Sequence, residues 1–306
     1  MLFKDPQIVI IGAGKLANSL APALVKGGFR LSAVISRTLN SAALLARKTG
    51  CKIYSDKIDD IPNSADVFFI TVPDAEIQKT AKILSSLQLD FRSSVFIHCS
   101  GSLDVSRLNS LKAKKAKTAS FHIMQSFPSI KTARLKNSYA AIETQDKNTE
   151  GFLFYISDKL KLKAFKLDSS KKTAYHLAGV FASNFLTGNF QSSVEIFGKS
   201  KDITSDISEI LYPTAHTTLK NIRKESPALA LSGPVDRGET NTVKNHIKEI
   251  KSLKLTSVVK KKLILLSYIT QSLLLIDLCE EKYGKLKPGH SELKEYLSGE
   301  LKRIKF

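Results

Sequence analysis

Two patterns of apolar positions divide the chain. In the first half, short continuous apolar runs alternate with helical stripes; in the second half only helical stripes remain. Ile8, Val9, Ile10 and Ile11 form an unbroken apolar run, as expected of a strand buried on both faces of a parallel sheet. Gly12, Ala13 and Gly14 interrupt it, and from Lys15 a helical pattern begins with Leu16, Leu20, Ala23 and Leu24 on one side. Later runs predict strands over 29–36, 52–54, 66–72, 94–98, 117–122, 139–143 and 163–166. Helices are expected over 40–49, 75–87 and 149–161. Past Asp168 no further strand–helix–strand unit is found. Helices are predicted over 170–189, 206–224, 240–252 and 257–281, with Pro213 kinking or restarting its segment. The fold class is α/β, with a mainly α-helical C-terminal domain.

The first strand, turn and helix give the glycines meaning. Gly12 suits the sharp turn, Gly14 lets the backbone approach a pyrophosphate, and Ala17 fills the third, close-packing position. The free N–H groups at the helix start would face the anion. The plainer reading is a βα turn that happens to carry two glycines. With its context, the motif points to a Rossmann domain over 1–167 followed by the helical domain over 168–306.

The second strand should carry Asp or Glu at its end if the cofactor were NAD. It carries Ser36, Arg37 and Thr38, which favours NADP: Arg37 can pair with a 2′-phosphate and the two hydroxyls can donate to it. Arg37 could instead cover the adenine or face solvent, and Ser36 or Thr38 could cap the next helix. The expected cofactor contacts are Gly12, Ala13, Gly14, Lys15, Leu16, Ser36, Arg37, Thr38, Val72, Pro73 and His98. The last three stand on the carboxyl edge of the sheet.

Composition narrows the partners. The 306 residues carry a net charge of +19, with local clusters at 112–117 and 260–262. No zinc-finger spacing or RNA-binding motif accompanies them, so no specific nucleic-acid partner is expected. The positive field would attract a small phosphorylated or carboxylated substrate. No signal-peptide pattern is read at the start. The apolar stretch 263–278 contains Ser267, Gln271 and Asp277 and is short for a membrane span, so a buried helix and no membrane partner are expected. Cys51, Cys99 and Cys279 lack metal or redox spacing and fit a reducing cytosol. A cytoplasmic protein without a metal site is the expectation.

Candidate chemistry is scattered. His176, Val180 and Asn184 recur at intervals of four on the 170–189 helix, placing His176 and Asn184 on one stripe. They could hydrogen-bond a carbonyl or imine and move a proton, or simply join helices. His98, Ser100 and His122 stand at predicted strand ends, where they could touch cofactor or substrate, or bond backbone groups. Arg237, in the loop LSGPVDRGETNT, could neutralise a substrate anion, or bridge to Glu239.

The ordered motifs GAGKLANSL, TVPDAEI, HCSG, FHIMQSF, YHLAGVFASNFL and SGPVDRGETNTVKNHI resemble Rossmann-like proteins with a C-terminal DUF2520 domain. These are grouped with the NADP-dependent oxidoreductases of the 6-phosphogluconate dehydrogenase-like superfamily. Pyrroline-5-carboxylate reductase and ketopantoate reductase are more distant relatives. The resemblance covers nearly the whole chain. Ile123 stands where the family usually has proline, and Glu239 where it commonly has Asp. Related enzymes place Lys and Asn four residues apart on the first helix after the Rossmann domain; here His176 stands near the lysine position and Val180 near that of its partner.

The resemblance implies hydride transfer with NADP(H) to or from a carbonyl or imine carbon held between the domains. The relatives' chemistry does not transfer directly to a chain without that lysine; the leading reading has His176 as proton donor or acceptor and Asn184 as the orienting residue, with His122, Ser100 and Arg237 in secondary contact. The resemblance also implies a homodimer formed through the helical domain. The rival reading is a nucleotide-sensing or partner-binding module with little turnover.

Overall fold

The computed structural model describes residues 4–198, 206–255 and 257–304. The first three residues, part of the segment read for a signal pattern, lie outside them. The chain divides into two compact units, up to Asn184 and from Phe185 onward.

The first unit is built on eight strands: β1 (Gln7–Ile11), β2 (Arg30–Ile35), β3 (Tyr54–Ser55), β4 (Val67–Ile70), β5 (Val95–His98), β6 (Lys117–Met124), β7 (Tyr139–Glu143) and β8 (Lys163–Lys166). Their order is β3-β2-β1-β4-β5-β6-β7-β8, and only the β6–β7 pair is antiparallel. The order of strand connection reverses between β1 and β4, which opens a crevice at their carboxyl ends, the general ligand position in such sheets. Helices α1 (Ala17–Lys26), α2 (Leu39–Thr49), α3 (Asp74–Leu84), α4 (Asn109–Ala113) and α5 (Lys147–Lys159) complete the α/β layers.

The continuous apolar runs bury both faces. Ile8, Ile10, Phe69 and Ile97 pack on one side with Leu20 and Phe152. Val9, Phe68 and Phe96 pack on the other with Ile77 and Leu111. Helix α6 (Lys172–Gly179) follows β8, and Val180–Phe185 then winds as a π-helix.

The second unit contains α7 (Leu186–Phe197), α8 (Ile207–Lys224), α9 (Pro227–Ala230), α10 (Pro234–Arg237), α11 (Thr240–Ser252), α12 (Val258–Tyr283) and α13 (Pro288–Arg303). Its core joins Val243 and Ile247 of α11, Ile269 and Ile276 of α12, and Leu293 and Leu297 of α13. By length and composition α12 could cross a membrane, with a mean hydropathy of 1.6 and 33% of that window buried. The expected buried helix is thus buried along one face only.

Several expectations need correction. Helix α1 starts at Ala17, after a turn through Lys15 and Leu16. The short third strand is Tyr54–Ser55 rather than 52–54, and α3 ends at Leu84. Helix α5 begins at Lys147 because Asp146 accepts the Thr149 N–H at 2.7 Å. Pro213 does not interrupt α8. Its missing N–H frees a carbonyl in a helix with no buried residue, where water can replace the bond. Helix α13 was not foreseen, although Leu293, Tyr296, Leu297 and Leu301 recur at helical spacing.

Candidate functional site

The last residues of β2, β1, β4 and β5 form one row across the sheet: Ile35, Ile11, Ile70 and His98. The row continues through Ser120 of β6 and Glu143 of β7. Its apolar half lies beneath an open cleft, and its polar half is closed.

The cleft has a volume of about 470 Å³. Gly12, Ala13 and Gly14 form one wall, Val72 and Pro73 another, and Ser36, Arg37, Thr38 and Ser41 the rim. Asp56 also lines it. Gly12 has φ +102°, and a Cβ there would lie 2.9 Å from the Thr71 carbonyl carbon and oxygen, so the turn cannot accept a side chain. Thr71 Oγ1 donates to the Gly12 carbonyl at 2.7 Å, and Asn18 Nδ2 donates to the carbonyls of Ala13 (3.1 Å) and Gly14 (3.0 Å). These bonds engage the three carbonyls within the protein. No side chain caps the start of α1, and its Asn18 and Ser19 N–H groups already donate to the Gly14 (3.1 Å) and Leu16 (2.9 Å) carbonyls, so the N–H groups offered to an anion are those of the turn just before them.

This cradle fits a dinucleotide. Gly12 to Gly14 would face the pyrophosphate, and Arg37 with Ser36, Thr38 and Ser41 would face the 2′-phosphate. Ser36 Oγ already accepts the Ala13 N–H at 3.3 Å, and Thr38 Oγ1 donates to Ser41 Oγ at 2.8 Å. Thr38 occupies the cap position of α2 without a capping hydrogen bond. Lys15 and Leu16 do not line the cleft: Lys15 is exposed and Leu16 packs on the core.

The closed half centres on Lys172, a residue that sequence reasoning missed. Its ammonium, 2% exposed as a residue, donates to Glu143 Oε2 at 2.7 Å and to Ser120 Oγ. Glu143 Oε1 accepts the Val105 N–H (2.9 Å) and the Ser169 hydroxyl (2.6 Å). Burial pulls the Lys172 pKa below its ordinary value, against the opposing pull of Glu143.

His98 is fully buried. Nδ1 accepts the Ser100 N–H at 3.2 Å, and Nε2 lies 3.2 Å from the Asp104 carbonyl, as its donor. Burial and the nearby Lys172 charge push its imidazole down to about 4. It therefore stays neutral and belongs to the closed cluster, and it is absent from the cleft lining, contrary to its expected role as a cofactor contact. Ser100 Oγ donates to Asp74 Oδ2 at 2.7 Å and accepts the N–H groups of Ser102 and Leu103. That hydroxyl ties the loop after β5 to the start of α3 rather than standing free.

His122 lies at the edge of this cluster. A Cβ on Gly101 would come 2.7 Å from its Nε2, so the glycine of HCSG gives the ring its place. Nδ1 is 2.8 Å from the Tyr175 hydroxyl. Burial, then the Lys172 and His176 charges, push the His122 imidazole down to about 4, and burial raises Tyr175 to about 12. His176 follows Tyr175, the partner of His122, on exposed α6, while His98 remains separately engaged. Asn184 falls in the π-helix, whose wider turn breaks the interval-of-four stripe shared with His176. Among the described residues no group of three His, Cys, Asp or Glu side chains could hold a metal.

Arg237 lies in the second unit, where its Nε donates to Glu239 at 2.5 Å. Its neighbour Asp236 is the buried anchor. It receives Lys282 (3.0 and 3.1 Å) and the Tyr283 hydroxyl (3.0 Å), and its carbonyl lies 2.9 Å from His290 Nε2.

Residues 7–100 match the family described as NADP oxidoreductase, coenzyme F420-dependent, and residues 138–262 match the domain of unknown function DUF2520. A Bacteroides fragilis protein assigned as an NADP oxidoreductase is 25% identical, with TM-score 0.73, covering 89% of this chain and 98% of its own. A Thermotoga maritima protein is also 25% identical, with TM-score 0.67 and coverages of 90% and 99%. A reductive aminase from Aspergillus terreus, solved with NADPH, shares the fold at TM-score 0.58 and 11% identity, covering 98% of this chain and 94% of its own. No curated protein matches the chain.

Proposed function

We propose that this chain, which joins a Rossmann domain of the coenzyme F420-dependent NADP oxidoreductase family to a DUF2520 domain, transfers hydride between NADP(H) and a small carbonyl or imine substrate. The observation that carries the reading is the open cleft itself. An uncapped helix start, a turn that excludes any side chain at Gly12, and a rim of Arg37 with three hydroxyls meet at the sheet's switch point. Bound NADP(H) would supply or accept the hydride at nicotinamide C4.

For a carbonyl substrate, the reduced oxygen must gain a proton. His176 is the candidate donor, since it is exposed and its ring N–H can be given to a substrate oxygen. The His122–Tyr175 pair braces the same turn of α6 against β6. Asn184 is the candidate for orienting the substrate. Lys172 is a positioning residue: its partners are all protein groups, and it pins the start of α6 to the sheet. Its engagement by Glu143 and Ser120 is also the observation favouring the rival reading, a nucleotide sensor without turnover.

Fluorescence titration with NADPH and NADH tests the cofactor. NADPH should bind more tightly, and Arg37→Ala should weaken NADPH by about tenfold or more while leaving NADH nearly unchanged. No saturable binding by folded protein would overturn the reading. Given binding, a carbonyl and imine panel separates enzyme from sensor, and His176→Ala should lower turnover by about a hundredfold. A homodimer through the helical unit belongs to the same reading, supported by Ile210, Tyr212, Leu219 and Ile222 exposed along α8. Cytoplasmic residence is supported by three free cysteines.

A further inference from the structure

A second cavity, of about 610 Å³, lies in the first unit between the C-terminal half of α1, the segment 132–136 before β7, and the end of α5. Its size is ordinary for a small-molecule site. Five cations line it: Lys26, Arg134, Lys136, Lys159 and Lys161. No carboxylate lines it, and none of the five forms an ion pair among the described residues. Pro22, Leu135 and Leu160 provide an apolar floor.

The walls are fixed by bonds that arise from the sequence. Pro22 sits inside α1 and has no N–H to give the Asn18 carbonyl. Thr132 Oγ1 takes that place at 3.1 Å, and the Ala133 N–H donates to the buried Ser19 hydroxyl at 2.9 Å. The Asn137 N–H donates to the Lys161 carbonyl at 2.8 Å, joining the segment to the end of α5. Five exposed cations therefore surround a concave surface whose backbone is held in place, with the Lys159 ammonium lying 5.3 Å from the centre of the Tyr155 ring. Mutual repulsion makes that arrangement costly without a counter-charge, and a concave low-dielectric wall focuses the field on whatever enters.

We propose that this cavity is a second anion-binding site, separate from the dinucleotide cleft, for a small molecule carrying several phosphate or carboxylate groups. The apolar floor suits the carbon skeleton of such a ligand, and the rim suits its charges.

Tripolyphosphate and citrate, titrated into the full chain by calorimetry at low ionic strength, test this and distinguish the two anion classes. Saturable binding of at least one is expected. Combined Lys136→Gln, Lys159→Gln and Lys161→Gln should weaken it by about tenfold or more. Two controls decide whether the cavity is responsible. Lys112→Gln, Lys114→Gln and Lys115→Gln remove the same charge from an exposed cluster, and Arg37→Ala alters the dinucleotide cleft. Each should change affinity by less than about twofold. Equal weakening by the exposed-cluster variant would assign binding to net charge, and selective loss with Arg37→Ala would assign it to the cofactor cleft. Either result, or no saturable binding of either anion, overturns the proposal. Since the readout does not depend on NADPH, its failure is distinguishable from failure of the oxidoreductase reading.

Discussion

The dinucleotide cleft and the Lys172 cluster stand at the same edge of the same sheet, joined by one row of paired residues, yet they are built in opposite ways. At the cleft, the helix start is uncapped and Arg37 is exposed beside hydroxyls that retain hydrogen-bonding capacity. At the cluster, the Lys172, Glu143, Ser120 and His98 polar groups meet protein partners. Strongly shifted groups collect at the closed end, where they hold strands and α6 in place. The end able to receive a ligand is the one with unused donors. A displaced pKa is therefore a poor guide to chemistry here, and free hydrogen-bonding capacity a better one.

The largest effect that could break this contrast is loss of the buried pair. Lys172→Met leaves the Glu143 carboxylate, already 5% exposed as a residue, without its cation. Chemical denaturation should show a loss of about 3–5 kcal/mol. Adding Glu143→Leu should recover part of that, because it removes the stranded charge but leaves the Val105 N–H and the Ser169 hydroxyl without their acceptor. NADPH affinity should stay near wild type in the double variant. A large stability loss that the second substitution fails to rescue would show that the pair is not the unit of stability. Loss of NADPH binding in stable protein would tie the cluster to the cleft after all.

Acid should act next most strongly, again at the closed end. His98 titrates near 4 when folded and near 6.5 when unfolded. Between these values the unfolded chain binds more protons, so stability rises with pH and falls on acidification. The contribution is intact above about 6.5 and is lost progressively toward about 4, amounting to roughly 2–3 kcal/mol by pH 4.5. His122 adds in the same direction. His98→Asn should flatten part of this slope, whatever its stability at neutral pH. An unchanged slope would mean that His98 is not held neutral.

The same difference explains what the sequence disclosed. The glycine turn, the second strand's Ser36–Arg37–Thr38 ending and most sheet strands depend on neighbours close in the chain, so period and turn chemistry exposed them. Lys172 meets Glu143 across 29 positions and Ser120 across 52. Nothing local separates it from adjacent Lys171, which remains exposed. Asp236 likewise finds Lys282 across 46 positions. The π-helix was illegible because ordinary helical spacing was assumed through Val180–Phe185. One available signal was passed over: Glu143 ends a strand of otherwise apolar positions, and a buried carboxylate calls for a cation.

The smallest predicted effect carries the contrast into the helical unit, within one short motif. Arg237 and Asp236 are adjacent, but Arg237 is solvent-exposed and pairs with Glu239 two residues on, whereas Asp236 is 8% exposed and joins α10 to α12 and α13. Burial works against ionisation of Asp236, but the Lys282 and Tyr283 hydrogen bonds and the Lys282 charge hold its pKa below the usual carboxylate value. An exposed ion pair contributes little because water screens it and two side chains lose freedom. Arg237→Ala should therefore shift stability by no more than about 0.5 kcal/mol. Asp236→Ala, which strands Lys282, should cost several times as much. If Arg237→Ala leaves the fold intact but raises substrate KM sharply, the exposed arginine belongs with the ligand-receiving groups. If KM is also unchanged, the motif acts in the fold through Asp236, and Arg237 closes only a local loop.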